Sequence, residues 1–233
     1  LPVVVRLGQR QDAKAGIEIA TVAREAGLAR PEADFESNQA HMLMREGRYE
    51  EALVHVALAR KAAAALDLPT ILSSIDLDEA QIHQEQGRYR ESLPLLDSAQ
   101  RRLRGLDAPD FLGTIHEARA ISVYYLGRFS EAVDELHAAV REYRASGRVD
   151  AGATAYRNLG LLQFFLGETS AAVAQCETAA RLHQQVGSPY DRAMDLDALG
   201  VVRQRTGDLA GARRTLEAAL AALPADSPKG RGD

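Results

Sequence analysis

Histidine is the side chain most able to exchange protons or bind a metal near neutral pH, and the sequence has six of them: His41, His55, His83, His116, His137 and His183. No two are four positions apart, the spacing that would place both rings on one helix face around a shared metal ion. We therefore interpret them as hydrogen-bonded or solvated side chains, and the sequence predicts no metal site.

Other residue types that can carry chemistry fit structural roles better. Cys176 is the only cysteine, so no internal disulfide can form, and we expect a buried, inert thiol rather than a nucleophile. Acidic pairs such as Glu50-Glu51 are typical of helix surfaces. No glycine-rich loop follows a strand, so no phosphate cradle is predicted. We expect no catalytic residue and no cofactor, and an enzyme is the disfavoured class.

The composition indicates an all-helical protein. Of 233 residues, 46% are hydrophobic and only 5% aromatic, and helix formers such as alanine, leucine, arginine and glutamate are abundant. The net charge is -5 with both signs interspersed, which disfavours a nucleic-acid partner. No stretch approaches the roughly 18 apolar residues of a membrane span. We expect no membrane partner, and the single cysteine fits a cytoplasmic location.

Five glycines form a ladder with a forty-residue period: Gly47, Gly87, Gly127, Gly167 and Gly207. A large residue follows two places later in most copies, as in Tyr49, Tyr89, Phe129 and Leu209. Small residues lie five places after each glycine and seven places before it. Since glycine enters the left-handed conformation without cost, each one predicts the turn of an antiparallel helix pair. The large residue, here called the wedge residue, is expected to pack between the two helices of the pair. The small residues are expected to let the two helices approach closely.

A second set of residues separates the pairs. Gly27, Gly105, Gly147 and Gly187 are expected to close second helices. Proline is tolerated in the first turn of a helix, so the regularly spaced prolines are expected to open first helices: Pro69, Pro109 and Pro189.

These residues resemble the tetratricopeptide repeat (TPR) family. The fourth copy matches best, with Ala155, Asn158-Leu159-Gly160, Gly167, Ala172 and Ala179 at family spacing. The period is forty instead of the usual ~34 residues. Long repeats of this kind are similar to those of multidomain bacterial signalling proteins, among them transcriptional regulators, peptide-sensing regulators and proteins with a caspase-like protease domain.

The resemblance implies an all-α, right-handed superhelical solenoid of antiparallel helix pairs, with about 11 helices. We expect an N-terminal helix or truncated repeat over 1–32 and a disordered tail over 224–233. Five repeats lie between them: 33–70, 71–110, 111–150, 151–190 and 191–223.

In such solenoids the first helix of each pair lines a concave groove. Carrying over the family's groove positions singles out the third and fourth repeats, where Tyr124-Tyr125 and Phe164-Phe165 lie forty apart. Successive helix residues diverge by ~100°, so we expect at least one aromatic of each pair to pack in the core. The expected groove residues are Gln84, Glu117, Ile121, Tyr124, Tyr125, Arg157, Leu161, Phe164, Phe165 and Arg205.

The sequence is compatible with two functions. The first is a protein-interaction scaffold that binds a peptide or partner segment on the concave face. The second is a regulatory or self-associating TPR arm of a larger signalling protein, with no free peptide ligand. For the second, the last helix pair carries an apolar stripe of leucines without a capping helix after it, which predicts a homo-oligomer through that pair: Leu209, Leu216, Leu220 and Leu223.

Overall fold

A computed structural model describes residues 29–64 and 69–223, and over these residues the chain forms ten α-helices and no strand. The helices are α1 Ala29–Arg45, α2 Tyr49–Ala63, α3 Pro69–Glu85, α4 Tyr89–Arg102, α5 Pro109–Tyr125, α6 Phe129–Ser146, α7 Val149–Phe165, α8 Thr169–Val186, α9 Pro189–Arg205 and α10 Leu209–Ala222. The all-helical prediction is confirmed. The expected eleventh helix, near residues 9–26, and the expected tail lie outside the described residues.

The chain divides into two compact units, one ending at Asp107 and one beginning at Ala108. In the first unit α1 packs on α2 and α3 on α4, and α2 and α3 join the two pairs. In the second unit three pairs, α5–α6, α7–α8 and α9–α10, stack in chain order through α6–α7 and α8–α9. Each unit is therefore a stack of helix pairs, as the ladder predicts.

The turn inside each pair is built as the glycines predict. Gly127 has a φ of 78°, in the left-handed region, and its N–H donates to the Tyr124 carbonyl at 2.9 Å. The next N–H, of Arg128, donates to the Val123 carbonyl at 2.8 Å, so the last carbonyls of α5 are satisfied before α6 begins. All five ladder glycines have positive φ.

The boundaries between pairs also follow the sequence. Gly147 and Gly187 cap the second helices α6 and α8 with a φ of 73° each. Gly105 is left-handed too, but it lies beyond the end of α4 at Arg102. The three prolines are the first residues of α3, α5 and α9. Gly27 lies outside the described residues.

Small residues let the paired helices approach closely. A methyl group built on Gly160 would lie 2.8 Å from the Cys176 sulfur and 3.0 Å from the Ala172 carbonyl oxygen. At Gly200 it would lie 2.6 Å from Leu216. These distances are too short for a side chain, which explains why the fourth and fifth pairs have glycine where the earlier pairs have alanine.

The large wedge residues behave as expected in three pairs. Tyr49, Tyr89 and Phe129 are all half-buried at the start of a second helix. For Leu209 the prediction is wrong, since this side chain is 66% exposed. Leu209 opens α10, the last described helix, and no described helix covers this side of it.

Candidate functional site

The second unit contains a cavity of about 470 Å³ formed by helices α5, α6 and α7. Its lining is mostly apolar and aromatic, with one acid and one amide among its members. The lining residues are Glu117, Ala120, Ile121, Tyr124, Tyr125, Ala132, Leu136, Asn158, Leu161, Leu162 and Phe165. A mostly apolar pocket with a few polar groups is the usual form of a binding site.

Four aromatic rings form one wall of this cavity and its surroundings. Tyr124 contacts Tyr125, Phe129 and Phe165 edge-to-face, with ring centroids 5.3, 5.6 and 6.4 Å apart respectively. Phe129 contacts Phe165 at 5.2 Å. Edge-to-face pairs at these distances stabilise one another, so the wall is held in place by its own contacts.

The helical period explains why these side chains share one surface. Ile121, Tyr124 and Tyr125 are spaced i, i+3 and i+4 on α5, and Leu161 and Phe165 repeat the i, i+4 spacing on α7. Tyr125 is 60% exposed and Phe165 is 62% exposed, so both present most of their rings to solvent.

Phe164 differs from its neighbour. It is half-buried and does not line the cavity, whereas both tyrosines of the α5 pair do. The expectation that at least one aromatic of each pair packs in the core is wrong for α5, where neither tyrosine is buried, and on α7 Phe164 is half-buried.

Glu117 lies on the polar side of the cavity. Its carboxylate accepts a hydrogen bond from the Tyr143 hydroxyl at 3.0 Å and another from the Asn158 amide at 3.1 Å. Burial raises the pKa of Glu117, although both hydrogen bonds and the charge of Arg157 act to lower it. The same burial, together with the nearby Glu117 charge, raises the pKa of Tyr143.

Arg157, the base expected in the groove, is tied into the helix stack. Its guanidinium donates to Asp195 at 2.8 Å, and the other oxygen of Asp195 lies 2.5 Å from the His183 ring nitrogen. This cluster joins α7, α8 and α9. Arg157 therefore acts on the cavity only through its charge near Glu117.

The two remaining expected groove residues do not line the cavity. Gln84 is buried near the end of α3 in the first unit, and Arg205 is exposed at the end of α9. Sequence reasoning missed several lining residues because it gave them packing roles or followed first helices only. These are Ala120, Ala132, Leu136, Asn158 and Leu162.

A second cavity of about 410 Å³ lies on the last helix pair, between α9 and α10. It is lined by Tyr190, Ala193, Met194, Asp197, Leu216, Ala219, Leu220 and Leu223. Leu220 is 73% exposed, which places much of the expected apolar stripe at the surface.

Most groups considered for catalysis or metal binding have structural partners. Five of the six histidines lie close to a carboxylate, including His116, whose ring nitrogen is 2.6 Å from Glu135. Cys176 is fully buried, and burial raises the pKa of its thiol to about 11. Across 29–64 and 69–223, no cluster of three His, Cys, Asp or Glu residues is arranged to hold a metal, and no helix there is long and apolar enough to cross a membrane.

Comparison with known proteins identifies the fold. No model of a known protein family matches the sequence, and no curated protein matches it. Among solved structures, BtubC (BKLC) from P. vanneervenii is 20% identical, with a TM-score of 0.80 over 94% of this chain and 91% of that chain. The chain therefore has the fold of the TPR-like solenoids, as the glycine ladder predicts.

Two further solved structures have the same fold. A Rap protein complexed with Competence and Sporulation Factor is 14% identical, with a TM-score of 0.69 over 82% of this chain and 54% of that chain. YrrB, described as a TPR protein with an unusual peptide-binding site, is 17% identical, with a TM-score of 0.54 over 89% and 93%. At these identities the likeness extends to the fold alone.

Proposed function

We propose that the protein is an interaction scaffold that binds a peptide or partner segment in the cavity between α5, α6 and α7. One observation carries the proposal: a mostly apolar cavity of about 470 Å³ opens beside Tyr125 and Phe165, two aromatic rings that are more than half exposed. Exposed aromatics beside a pocket mark interaction sites more often than isolated surface residues do.

The exposed rings supply a driving force for binding. Full burial of an aromatic side chain contributes about 1.5–3 kcal/mol, and Tyr125 and Phe165 are 60% and 62% exposed. Covering both rings would therefore contribute about 2–4 kcal/mol. The wall of edge-to-face contacts fixes their positions, which lowers the entropic cost of ordering them on binding.

The solved structures with this fold support a scaffold in general terms. A Rap protein is described in complex with a factor, and YrrB is described with a peptide-binding site. For this chain we extend the idea to α5–α7, where Glu117, Ile121, Tyr124, Leu161 and Phe165 come together. Gln84 and Arg205 are not part of the proposed site.

An immobilised peptide library tests the proposal. We expect the wild-type protein to retain a subset of peptides and Phe165→Ala to lose most of that binding. Phe111→Ala is the control, because Phe111 is an aromatic residue at the surface of α5 that does not line the cavity. Binding that survives Phe165→Ala and Tyr125→Ala unchanged would contradict the proposal.

The surface of α9 and α10 favours a second candidate function, a self-associating arm of a larger signalling protein with no free peptide ligand. Its supporting observation is the cavity of about 410 Å³ beside Leu220, which is 73% exposed. Light scattering over a concentration series should show a dimer that Leu220→Glu disrupts. Val54→Glu is the control, since Val54 is 59% exposed on α2. A monomer at every concentration would refute self-association.

We include no catalytic step in the proposed function, because the buried Cys176 and the paired histidines serve packing and hydrogen bonding. The expected absence of nucleic-acid and membrane partners and the expected cytoplasmic location remain predictions from the sequence.

A further inference from the structure

The apolar lining of the α5–α7 cavity could accommodate many partner segments. The carboxylate of Glu117 restricts which of them fit. Both of its hydrogen-bond donors, the Tyr143 hydroxyl at 3.0 Å and the Asn158 amide at 3.1 Å, are neutral groups. Each carboxylate oxygen can accept more than one hydrogen bond. The negative charge is therefore solvated by dipoles and keeps capacity for a further donor.

Among the residues that the structure describes, none of the groups packed around Glu117 forms an ion pair with it. Helix α6 supplies Tyr143, whose hydroxyl also lies 3.3 Å from the Thr114 hydroxyl of α5. Helix α7 supplies Asn158 and Arg157, but the Arg157 guanidinium donates to Asp195 at 2.8 Å. Arg157 favours the ionised carboxyl through space, and burial outweighs this effect, so the pKa of Glu117 is raised.

The rest of the lining also favours a positive charge. None of its residues is basic, and its exposed rings belong to Tyr124, Tyr125 and Phe165. The face of an aromatic ring attracts cations, and more strongly so where water is excluded. An anionic group would meet the Glu117 carboxylate with no base in the lining to offset the repulsion.

We propose that the cavity binds a lysine or arginine side chain of the partner segment. The ammonium or guanidinium donates to Glu117, and the aliphatic stem packs against Ile121 and Leu161 beneath the aromatic wall. This inference rests on the proposed peptide-binding function and names the chemical class of the ligand. A volume of about 470 Å³ holds such a side chain together with part of a neighbouring residue.

Five oriented peptide pools test the inference. They share the same degenerate positions and differ at one central residue, which is lysine, arginine, acetyl-lysine, norleucine or glutamate. We expect wild-type protein to retain roughly ten times more of the lysine and arginine pools than of the three others, a factor typical of one charge-assisted hydrogen bond. Acetyl-lysine keeps the length of lysine without its charge, so this comparison needs no variant protein.

The variant Glu117→Gln tests whether the Glu117 carboxylate causes the preference for the lysine and arginine pools. Glutamine keeps the shape of glutamate and can accept from Asn158 while donating to the Tyr143 hydroxyl, so the fold should persist. Circular dichroism checks that it does. We expect the preference for lysine over acetyl-lysine to fall to near unity.

The outcomes separate the two proposals. Equal retention of all pools that is lost in Phe165→Ala would overturn the cationic ligand and leave peptide binding intact. A preference for lysine that survives in Glu117→Gln would also overturn the inference. Retention of no pool by the wild-type protein would refute the proposed function, and the cationic ligand with it.

Discussion

Asp195 is the residue whose change should reveal most about how the second unit is held together. It is completely buried on α9, and its carboxylate joins Arg157 of α7 at 2.8 Å and His183 of α8 at 2.5 Å. Asp195→Asn keeps the size of the side chain and removes its charge. The Arg157 guanidinium then stays nearly buried without its ion-pair partner.

The expected loss of stability follows from the burial of the Arg157 side chain. Breaking a buried ion pair by neutralising one partner costs about 3–5 kcal/mol, because the remaining charge stays desolvated. The Arg157 side chain is 12% exposed, so water can relieve only a small part of that cost. For a protein of this size each kcal/mol lowers Tm by about 2–4 °C. We therefore expect a fall in Tm of about 6–20 °C.

Thermal unfolding followed by circular dichroism measures this effect, with urea unfolding as a second measurement. Arg148→Ala provides the control, because Arg148 pairs with Asp110 at 3.0 Å on the surface of the same unit. Exposed pairs of this kind contribute about 0–1 kcal/mol. The two variants compare ion pairs of similar length that differ in burial.

A double variant distinguishes the loss of the ion pair from the cost of leaving the Arg157 charge buried and unpaired. Arg157→Met combined with Asp195→Asn removes both charges, and we expect it to recover about 1–2 kcal/mol relative to Asp195→Asn alone. If Asp195→Asn costs no more than Arg148→Ala, or if the double variant is less stable than Asp195→Asn alone, the reasoning about a stranded buried charge is wrong.

The remaining predictions concern local packing, backbone conformation and pH. Gly160→Ala should destabilise the protein by about 1–2 kcal/mol, because its methyl would lie 2.8 Å from the Cys176 sulfur; an unchanged urea midpoint would contradict this. Gly127→Ala, at a φ of 78° with no atom near the new methyl, should cost about 1 kcal/mol through backbone strain alone, measured by Tm. Burial raises the pKa of Glu117, so its contribution to stability is complete below the unfolded value near 4.3 and is lost as pH rises through the folded value. Urea midpoints over a pH series should therefore decline less in Glu117→Gln than in the wild type.

The fold could be predicted because its determinants are local and repeated. A left-handed turn needs glycine whatever surrounds it, so Gly47 and its equivalents mark each turn in the sequence. Close approach of two helices needs a small residue. At Gly160 the requirement is strict, because the methyl of an alanine would lie 2.8 Å from the Cys176 sulfur. Leu209 fails as a wedge because its environment depends on what lies next to α10, which the ladder does not encode.

The candidate site was only partly predictable because its partners come from different helices. The spacing of Tyr125 and Phe165 indicates their shared surface, but nothing in it shows that Phe129 of α6 would complete the aromatic wall. Arg157 was expected in the groove by its register. Its ion pair with Asp195, 38 positions away, depends on rotamers and helix packing that a repeat period does not determine.

One pair of equivalent positions shows that the side-chain types can change while the repeated backbone stays the same. Glu36 and His55 lie eleven residues before and eight residues after Gly47, and their side chains are 2.6 Å apart. His116 and Glu135 occupy the same two positions around Gly127, also 2.6 Å apart, with acid and base exchanged. The backbone therefore fixes where two side chains meet, and complementarity alone fixes what they are. By the same logic, Glu117, an acid that forms no ion pair with a described residue, is the position at which we propose that the charge of a partner is selected.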